Sequence, residues 1–215
     1  MSVKILGGVC KGINLTVPSG NLRPTGVLLK RRFFDGNQVF DNKVFIDLCC
    51  GSGAIGLEAL SRGAINLICV EKNKNIIKVL KKNINIVSNA ILKIRNDFKV
   101  QVANTCFNKW IMSFKDNYTD WPIEKKTNTI IYFDPPYHEI VLYKNIVDEI
   151  VKSDWFYGDL WIEHERGNGV LELLNSSIIK KSYQQGDNII ILIYPTKLQI
   201  KIIILSPCWY DFLMI

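Results

Sequence analysis

Apolar residues along this chain follow two spacings in turn, and the alternation predicts strands separated by helices. Short apolar runs with β-branched side chains are typical of buried parallel strands. They occupy residues 44–48, 66–70, 91–94, 129–133 and 160–163. Apolar positions at helical spacing predict helices over residues 54–62, 76–87 and 140–151. Because strands and helices alternate, we predict an α/β fold with a doubly wound, Rossmann-like sheet.

Two smaller units flank this predicted sheet. Short β-like runs at residues 3–6 and 13–17 surround glycines and predict an N-terminal β-hairpin. A basic helix follows the hairpin and should end near Gly36, a plausible helix stop. A second hairpin, around a G-D-N turn, is predicted over residues 178–183 and 189–194.

A glycine-rich turn joins the first of the parallel strands to its helix. The sequence there is D-L-C-C-G-S-G-A-I-G, in which Gly51 and Gly53 flank Ser52. Glycine adopts positive φ and has no Cβ, so this backbone can approach a ligand, while Gly56 lets the helix pack close to the strand. The spacing fits either a dinucleotide or S-adenosylmethionine as cofactor. Asp47 at the strand end favours S-adenosylmethionine, because its methionine half carries a cationic amine that can donate to a carboxylate.

Acidic residues also follow the ends of three further predicted strands. Glu71 ends the second strand, where an acid is placed to hold the ribose hydroxyls of a nucleotide. Asp97 follows the third strand together with Phe98, and Asp134 follows the fourth. In doubly wound sheets the ligand binds beyond the carboxyl ends of the strands, at the switch point of the topology. We therefore expect one crevice to collect these side chains.

The D-P-P-Y sequence from Asp134 to Tyr137 is the most specific signal in the chain. Pro135 and Pro136 fix φ and remove two backbone donors, so we expect their carbonyls to be free to point into the crevice. An exocyclic nucleobase amine is a poor nucleophile because its lone pair is delocalised into the ring. If the Asp134 carboxylate and the Pro135 carbonyl accept both amine hydrogens, a pyramidal nitrogen is favoured. We predict methyl transfer by positioning and electrostatics without a metal, with Tyr137 stacked on the base.

Composition narrows the class of protein further. The 215 residues are 48% hydrophobic, which is ample for a core and argues against disorder. No basic segment followed by an apolar stretch opens the sequence, and no apolar run reaches the ~20 residues of a membrane span. Six cysteines form no C-x-x-C pair and the histidines are His138 and His164, so we expect neither a metal site nor disulfides. We expect a cytoplasmic protein that acts as a monomer, away from membranes.

Most of the net charge of +7 lies near the N-terminal end. The basic residues that precede the first acid are Lys4, Lys11, Arg23, Lys30, Arg31 and Arg32. A segregated patch of this kind is typical of proteins that bind a polyanion, although a basic surface can also serve solubility alone. We therefore predict that these side chains bind nucleic acid.

Taken together, these motifs resemble the bacterial small-subunit ribosomal RNA guanine-N2 methyltransferase family. The similarity extends from Ile5 to about Lys197 and includes L-R-P-T, F-I-D-L-C-C-G-S-G-A-I-G-L-E-A-L-S-R-G-A, V-E-K-N, N-D-F, F-D-P-P-Y and W-I-E. The resemblance implies methyl transfer from S-adenosylmethionine to a guanine amine in small-subunit (16S) ribosomal RNA, in a ribosomal particle.

The same resemblance implies a role for each motif and a division of the chain. It places Asp47, Gly51 and Gly53 at the methionine end of the cofactor. It places Glu71 at the ribose, and Asp97 and Phe98 at the adenine. It places residues 134–137 at the target amine. Residues 1–38 would dock RNA, residues 39–197 would form the methyltransferase domain, and residues 198–215 form an apolar tail with no assigned role.

Three other interpretations stay open. An amine methyltransferase of adenine or cytosine, in DNA or other RNA, shares D-P-P-Y, but the chain has no separate target-recognition domain. A nicotinamide oxidoreductase would explain the glycines and Glu71 but gives D-P-P-Y no function. A decayed enzyme that only binds RNA is the third, since the family usually follows R-P-T with a polar helix start, whereas residues 26–32 read G-V-L-L-K-R-R.

Overall fold

The predicted alternation of strands and helices is confirmed in the computed structural model, which describes residues 2–18, 27–174 and 178–193. The strands are β1 (Ser2–Lys4), β2 (Asn14–Thr16), β3 (Val44–Leu48), β4 (Asn66–Val70), β5 (Lys99–Ala103), β6 (Thr129–Phe133), β7 (Asp159–Glu165), β8 (Ile179–Gln185) and β9 (Asn188–Ile193). The helices are α1 (Val27–Asp35), α2 (Ala54–Ser61), α3 (Lys74–Ile91), α4 (Phe107–Thr119), α5 (Ile123–Thr127) and α6 (Ile140–Ile146). A π-helical turn, Val147–Val151, continues α6, and Leu171–Leu173 form a short 3-10 helix.

Seven strands form one sheet in the order β5-β4-β3-β6-β7-β9-β8. The first five of these are parallel, whereas β9 runs antiparallel to both β7 and β8. After β3 the chain fills the β4 and β5 side and then crosses to β6, on the other side of β3. The switch point therefore lies at the carboxyl ends of β3 and β6. The predicted doubly wound, Rossmann-like sheet is confirmed, and β1 and β2 form the predicted N-terminal hairpin.

The central strand β3 is buried on both faces, which explains its nearly continuous apolar sequence. Phe45 packs in a cluster with the N-terminal hairpin, α1, α2 and α3. Val44, Ile46 and Leu48 pack on the opposite face with α4, α6 and the π-helical turn. These side chains alternate because successive residues of a strand point to opposite faces. The N-terminal hairpin and α1 thus share an apolar core with the sheet.

The strand predicted at residues 91–94 is wrong. α3 continues through Ile91, whose buried side chain completes the apolar face of that helix. The third parallel strand is β5, further along the chain. β5 lies at the edge of the sheet, so Lys99 and Gln101 are exposed and alternate with valines. This half-polar pattern lacks the continuous apolar run by which the other parallel strands were predicted.

The remaining helices agree with the prediction in part. The helix predicted over residues 140–151 is present as α6 and its π-helical turn. α1 ends directly before Gly36, as expected. α4 and α5 have no counterpart among the predicted elements, although Trp110, Phe114 and Tyr118 of α4 recur at helical spacing and are buried.

Parts of the predicted organisation lie outside the described residues. They include Arg23, the L-R-P-T motif, the end of the second hairpin and the apolar tail 198–215. The division of the chain after residues 38 and 197 stays a prediction. In the part of the chain that the structure describes, no helix is long and apolar enough to cross a membrane.

Candidate active site

A cavity of about 550 Å³ opens at the carboxyl ends of the parallel strands. Residues that follow β3, β4, β5 and β6 line it, together with Glu165 at the end of β7. The predicted site residues that line this cavity are Lys30, Asp47, Gly51, Ser52, Glu71, Asp134, Pro135, Pro136 and Tyr137. Its volume falls in the range of ~300–1,000 Å³ that is usual for small-molecule sites. The topology thus brings three separate sequence motifs to one wall.

The glycine turn after β3 is built from residues in the left-handed region. Cys49 (φ 61°), Gly51 (φ 53°) and Gly53 (φ 79°) all have positive φ. The N–H of Gly51 donates to Glu71 Oε2 at 3.1 Å. Gly53 is not in the cavity wall, and a Cβ there would lie 2.5 Å from Leu80 Cδ1 of α3. Gly53 is therefore needed for the turn conformation and helix packing, and its predicted approach to the cofactor does not match the geometry.

Asp47 is a buried carboxyl at the end of β3, with a side chain that lines the cavity. Its Oδ2 accepts, at 2.8 Å, from the N–H of Gly56, which lies in the first turn of α2. Burial raises the pKa of Asp47 to about 7, an effect that this hydrogen bond and the positive charge of Lys30 oppose and the charge of Glu71 reinforces. A cation bound beside such a carboxyl would favour its ionised form.

Glu71, at the end of β4, stabilises the glycine turn by hydrogen bonds. Besides the bond from Gly51, its Oε1 accepts from the N–H of Asn73 at 2.8 Å. The side chain amide of Asn104 donates to the Glu71 carbonyl at 2.9 Å, which ties the end of β5 to the end of β4. Each carboxylate oxygen has a second lone-pair site, so Glu71 can accept from a ligand hydroxyl while it holds the turn.

Asp97 and Phe98, predicted at the adenine, lie at the wrong edge of the sheet. They precede β5, so they sit at the amino ends of the parallel strands and do not line the cavity. The Asp97 side chain is 65% exposed and pairs with Arg95 at 3.0 Å. The error follows from the strand that was placed too early. Thr105, Cys106 and Phe107 follow β5 and line the cavity instead.

Lys30 is a second correction, because its side chain is buried and does not face solvent. Its Nζ lies 3.2 Å from Glu58 Oε2 and donates to the Ala54 carbonyl at 2.9 Å. Glu58 also accepts from Arg62 Nε at 2.9 Å. The backbone N–H groups of Leu6 and Gly7 donate to the same carboxylate, at 2.7 Å each. We call Glu58, Lys30 and Arg62 the Glu58 cluster, which joins the N-terminal segment to α2.

The other predicted RNA ligands are placed as expected where the structure describes them. Lys4, Lys11, Arg31 and Arg32 are exposed. The Arg32 guanidinium also donates to the Gln184 carbonyl of β8. The RNA-binding role of these four residues stays a prediction. Lys30 no longer belongs to that predicted set, because its side chain is buried.

The D-P-P-Y turn after β6 is held by a buried glutamate of β7. Glu163 is fully buried, and its Oε1 accepts from the Tyr137 hydroxyl at 2.9 Å. Its Oε2 accepts from the Tyr132 hydroxyl at 2.6 Å, and its carbonyl accepts from the Tyr143 hydroxyl at 3.0 Å. We call Glu163, Tyr132, Tyr137 and Tyr143 the Glu163 cluster. Asp134 of the turn donates its N–H to the Leu48 carbonyl at 3.3 Å, which ties the turn to β3.

The carbonyls of the two prolines are less free than the sequence suggests. The Pro136 carbonyl accepts from the N–H of Glu139 at 2.9 Å. The Pro135 carbonyl lies 3.4 Å from the Tyr143 hydroxyl, a long contact that leaves one of its two lone pairs for another donor. The Pro135 carbonyl therefore keeps a lone pair for the acceptor role that was predicted for it, whereas the Pro136 carbonyl, predicted only to be free, accepts from Glu139.

The tyrosines of the Glu163 cluster stay protonated over any ordinary pH. Burial raises the pKa of Tyr137 above its usual value, and the charges of Glu163 and Asp134 raise it further. Burial also raises the pKa of Tyr132 and the pKa of Tyr143. Each hydroxyl is therefore a donor toward Glu163.

Three structural residues escaped the sequence analysis, although each carries a visible signal. Glu58 is the acid of an otherwise mostly apolar helix, and Glu163 directly follows the apolar run Leu-Trp-Ile of β7, and an acid in such a position marks a buried partner. Asn83 lies on the apolar face of α3 and is fully buried. Its Nδ2 donates to the carbonyls of Thr16 and Ser52, at 2.9 Å each, so it joins the hairpin to the glycine turn.

Among the described residues, no group of three or more His, Cys, Asp or Glu side chains is arranged to hold a metal ion. The five cysteines in the same part of the chain are free thiols.

Comparisons with known proteins agree with this architecture. The protein-family model described as conserved hypothetical protein 95 matches residues 3–194. Ribosomal RNA small subunit methyltransferase D of Escherichia coli strain K12 is 30% identical over 173 residues, which cover 78% of this chain and 77% of that protein. The protein of the same name from Buchnera aphidicola subsp. Baizongia pistaciae is 29% identical over 186 residues, 84% of this chain and 85% of that protein.

A solved structure shows the same fold. A putative methyltransferase from Escherichia coli superposes with a TM-score of 0.66 at 22% identity, covering 91% of this chain and 98% of that chain. The family model and the curated relatives confirm the family resemblance predicted from the motifs. The chain belongs to the conserved hypothetical protein 95 family, together with the ribosomal RNA small subunit methyltransferases D.

Proposed function

We propose that this protein transfers a methyl group from S-adenosylmethionine to the exocyclic amine of a guanine in small-subunit ribosomal RNA. The observation that carries the proposal is that the D-P-P-Y turn and the glycine turn share one cavity, with Asp134 and Asp47 both in its wall. Family membership supports the reaction class, since the curated relatives are named as ribosomal RNA methyltransferases.

The cavity lining fits the polar groups of this cofactor. Asp47 would bind the cationic amine of the methionine half, and Glu71 would accept from the ribose hydroxyls. Thr105 and Phe107, which follow the neighbouring strand β5 and line the cavity, would contact the adenine, the role that was predicted for Asp97. When bound, S-adenosylmethionine supplies a methyl group activated by its sulfonium.

The D-P-P-Y turn would prepare the amine for transfer. We assign the Asp134 carboxylate and the Pro135 carbonyl as acceptors of its two hydrogens, which leaves the nitrogen lone pair available. As positive charge develops on that nitrogen, the Asp134 carboxylate stabilises it electrostatically. Tyr137, half-buried in the cavity wall, would hold the base by stacking, an interaction worth ~1–3 kcal/mol.

The RNA itself would dock on the exposed basic residues of the N-terminal segment. Lys4, Lys11, Arg31 and Arg32 are exposed in that segment, which shares its apolar core with the sheet. Docking of RNA by residues 1–38, a ribosomal particle as substrate, a cytoplasmic location and action as a monomer belong to the same proposal.

The decisive experiment is a methyl-transfer assay with the variant Asp134→Ala. Small ribosomal subunits and their naked RNA, from cells that lack the gene, would be incubated with labelled S-adenosylmethionine, and the modified base identified by mass spectrometry. We expect the wild type to methylate a guanine amine and Asp134→Ala to lose at least ~100-fold in rate, as when an electrostatic partner is removed. Cofactor affinity should stay within a few fold.

The exposed acid Asp148, which does not line the cavity, provides a matched control. Asp148→Ala should transfer at the wild-type rate. Normal transfer by Asp134→Ala would contradict the role of that carboxylate. A product methylated at adenine or cytosine would replace guanine as the substrate, and calorimetric binding of a nicotinamide dinucleotide instead of S-adenosylmethionine would contradict the reaction class.

A further inference from the structure

Glu163 lies directly behind the D-P-P-Y turn and touches it through Tyr137. We propose that Glu163 is a positioning residue, which fixes the ring of Tyr137 in the orientation that receives the target base. The inference rests on the proposed function, because it concerns the base that Tyr137 is assigned to stack on. Glu163 does not line the cavity, so it acts through the tyrosine and not on the base.

The hydrogen bond from the Tyr137 hydroxyl to Glu163 restricts rotation of the Tyr137 side chain, which would prevent the ring from stacking on the base. The prolines fix the backbone before Tyr137, but the side chain still has rotamers that would swing the ring out of the cavity wall. A donor at 2.9 Å from Glu163 Oε1 holds the far end of that ring. Hydrogen bonds to a carboxylate are roughly twice as strong as neutral ones, so the alternative rotamers are disfavoured.

A second contact attaches the start of the same turn to the same residue. The Tyr143 hydroxyl of α6 donates to the Glu163 carbonyl at 3.0 Å and lies 3.4 Å from the Pro135 carbonyl. Glu163 is thus linked to the turn at Pro135 by its main chain and at Tyr137 by its side chain. The Pro135 carbonyl, assigned to the amine, and the Tyr137 ring, assigned to the base, are therefore both positioned by one residue of β7.

The two oxygens of the Glu163 carboxylate provide an internal control. Oε2 accepts from Tyr132, whose ring is fully buried and packs 5.3 Å from Phe33 in the core. Tyr132 does not line the cavity, whereas Tyr137 does. Both hydroxyl bonds stabilise the buried carboxylate, but only the one to Tyr137 orients a ring that faces the ligand.

The test compares Glu163→Gln, Tyr137→Phe and Tyr132→Phe in single-turnover methyl transfer at saturating cofactor and RNA. We expect Glu163→Gln and Tyr137→Phe each to slow transfer by roughly 10- to 100-fold, the scale of a misplaced reactant. The double variant should be no slower than the slower single one, because Glu163→Gln weakens the charged acceptor of the Tyr137 hydroxyl and Tyr137→Phe removes that hydroxyl, so both act on the same contact. Tyr132→Phe should slow transfer much less, and cofactor affinity should stay within about twofold in all of them.

A second readout does not depend on activity. In protein labelled with 3-fluorotyrosine, the Tyr137 resonance, assigned by its loss in Tyr137→Phe, should shift or broaden in Glu163→Gln. An unchanged resonance overturns the inference whether or not the protein methylates RNA. An active wild type with an equally active Glu163→Gln variant, an additive double variant, or equal losses in Tyr132→Phe and Tyr137→Phe would also overturn it. No transfer by the wild type would instead overturn the proposed function.

Discussion

Two fully buried glutamates, Glu58 and Glu163, accept hydrogen bonds from different kinds of donor. Glu58 accepts from the Lys30 ammonium, the Arg62 guanidinium and two backbone N–H groups of the N-terminal segment. Glu163 accepts from the hydroxyls of two tyrosines. The first arrangement neutralises buried charge and joins one segment of the chain to another. The second arrangement orients neutral rings, one of which faces the ligand.

The difference has an energetic consequence. Removing one partner of a buried ion pair leaves an uncompensated charge, which costs several kcal/mol. Removing an acceptor from a neutral hydroxyl leaves only an unsatisfied donor, which costs ~1–3 kcal/mol. We therefore expect the Glu58 cluster to affect stability most and the Glu163 cluster to affect the rate of transfer most.

The largest expected effect is the loss of stability in Glu58→Gln. We expect the free energy of unfolding in urea to fall by ~3–5 kcal/mol, because the buried Lys30 side chain loses the carboxylate that compensates its charge. Glu163→Gln should lose less. Equal losses in the two variants would remove the distinction between the clusters.

A paired substitution provides the control for that prediction. Glu58→Leu combined with Lys30→Met removes both buried charges, so it should recover a large part of the stability lost in Glu58→Leu alone. No recovery would mean that the bonds to the N-terminal backbone, not the ion pair, account for the role of Glu58.

The next effect is a pH dependence that arises at Asp47. The pKa of this carboxyl is raised to about 7 in the folded state, so the native protein keeps a proton that the unfolded chain releases. Because the unfolded state then binds fewer protons, stability should fall as pH rises from ~4 to ~7, by up to about 1.4 kcal/mol per unit. Urea unfolding of the wild type and Asp47→Asn across this range would measure it. A pH dependence that survives in Asp47→Asn would assign the effect to another group.

A smaller expected effect is that the Glu58 cluster and the Glu163 cluster shift the pKa of Asp47 in opposite directions. The charge of Lys30 lowers the pKa of Asp47, and the charge of Glu163 raises it. The Lys30→Met variant should therefore move the Asp47 titration to higher pH, and Glu163→Gln should move it to lower pH. Carbon-13 NMR of the Asp47 carboxyl would report both shifts, and shifts of the same sign would contradict the assignment of opposite charges around it.

The smallest effect on stability is expected from the exposed neighbours of Lys30. Replacing Arg31 and Arg32 with glutamine should change stability by no more than ~0.5 kcal/mol. If both contact phosphates, the slope of log affinity for RNA against log salt should decrease by up to about two contacts. Lys81 and Lys82, exposed on α3, provide a control that removes the same charge elsewhere. Equal slopes in wild type and both double variants would mean that the basic helix does not dock RNA.

The sequence by itself determined the strands and turns whose pattern is local. β3 and β6 were predicted with their observed bounds, because strands buried on both faces must be apolar at nearly every position. The glycine turn and the D-P-P-Y turn were found for a related reason. Positive φ and fixed φ are demands on the residue itself, and they leave glycine and proline in the sequence.

Only the tertiary structure decided which polar side chains face the ligand and which face each other. The edge strand β5 has one partner strand and an exposed half, so its pattern is weak, and Asp97 was misplaced with it. Lys30 and Arg31 are adjacent and chemically alike in the sequence, yet one is buried against Glu58 and the other is exposed. Glu163 of β7 meets Tyr137 of the turn that follows the neighbouring strand β6. Such contacts are set by the packing of distant segments, because a charge or hydroxyl is buried only where folding brings it a partner.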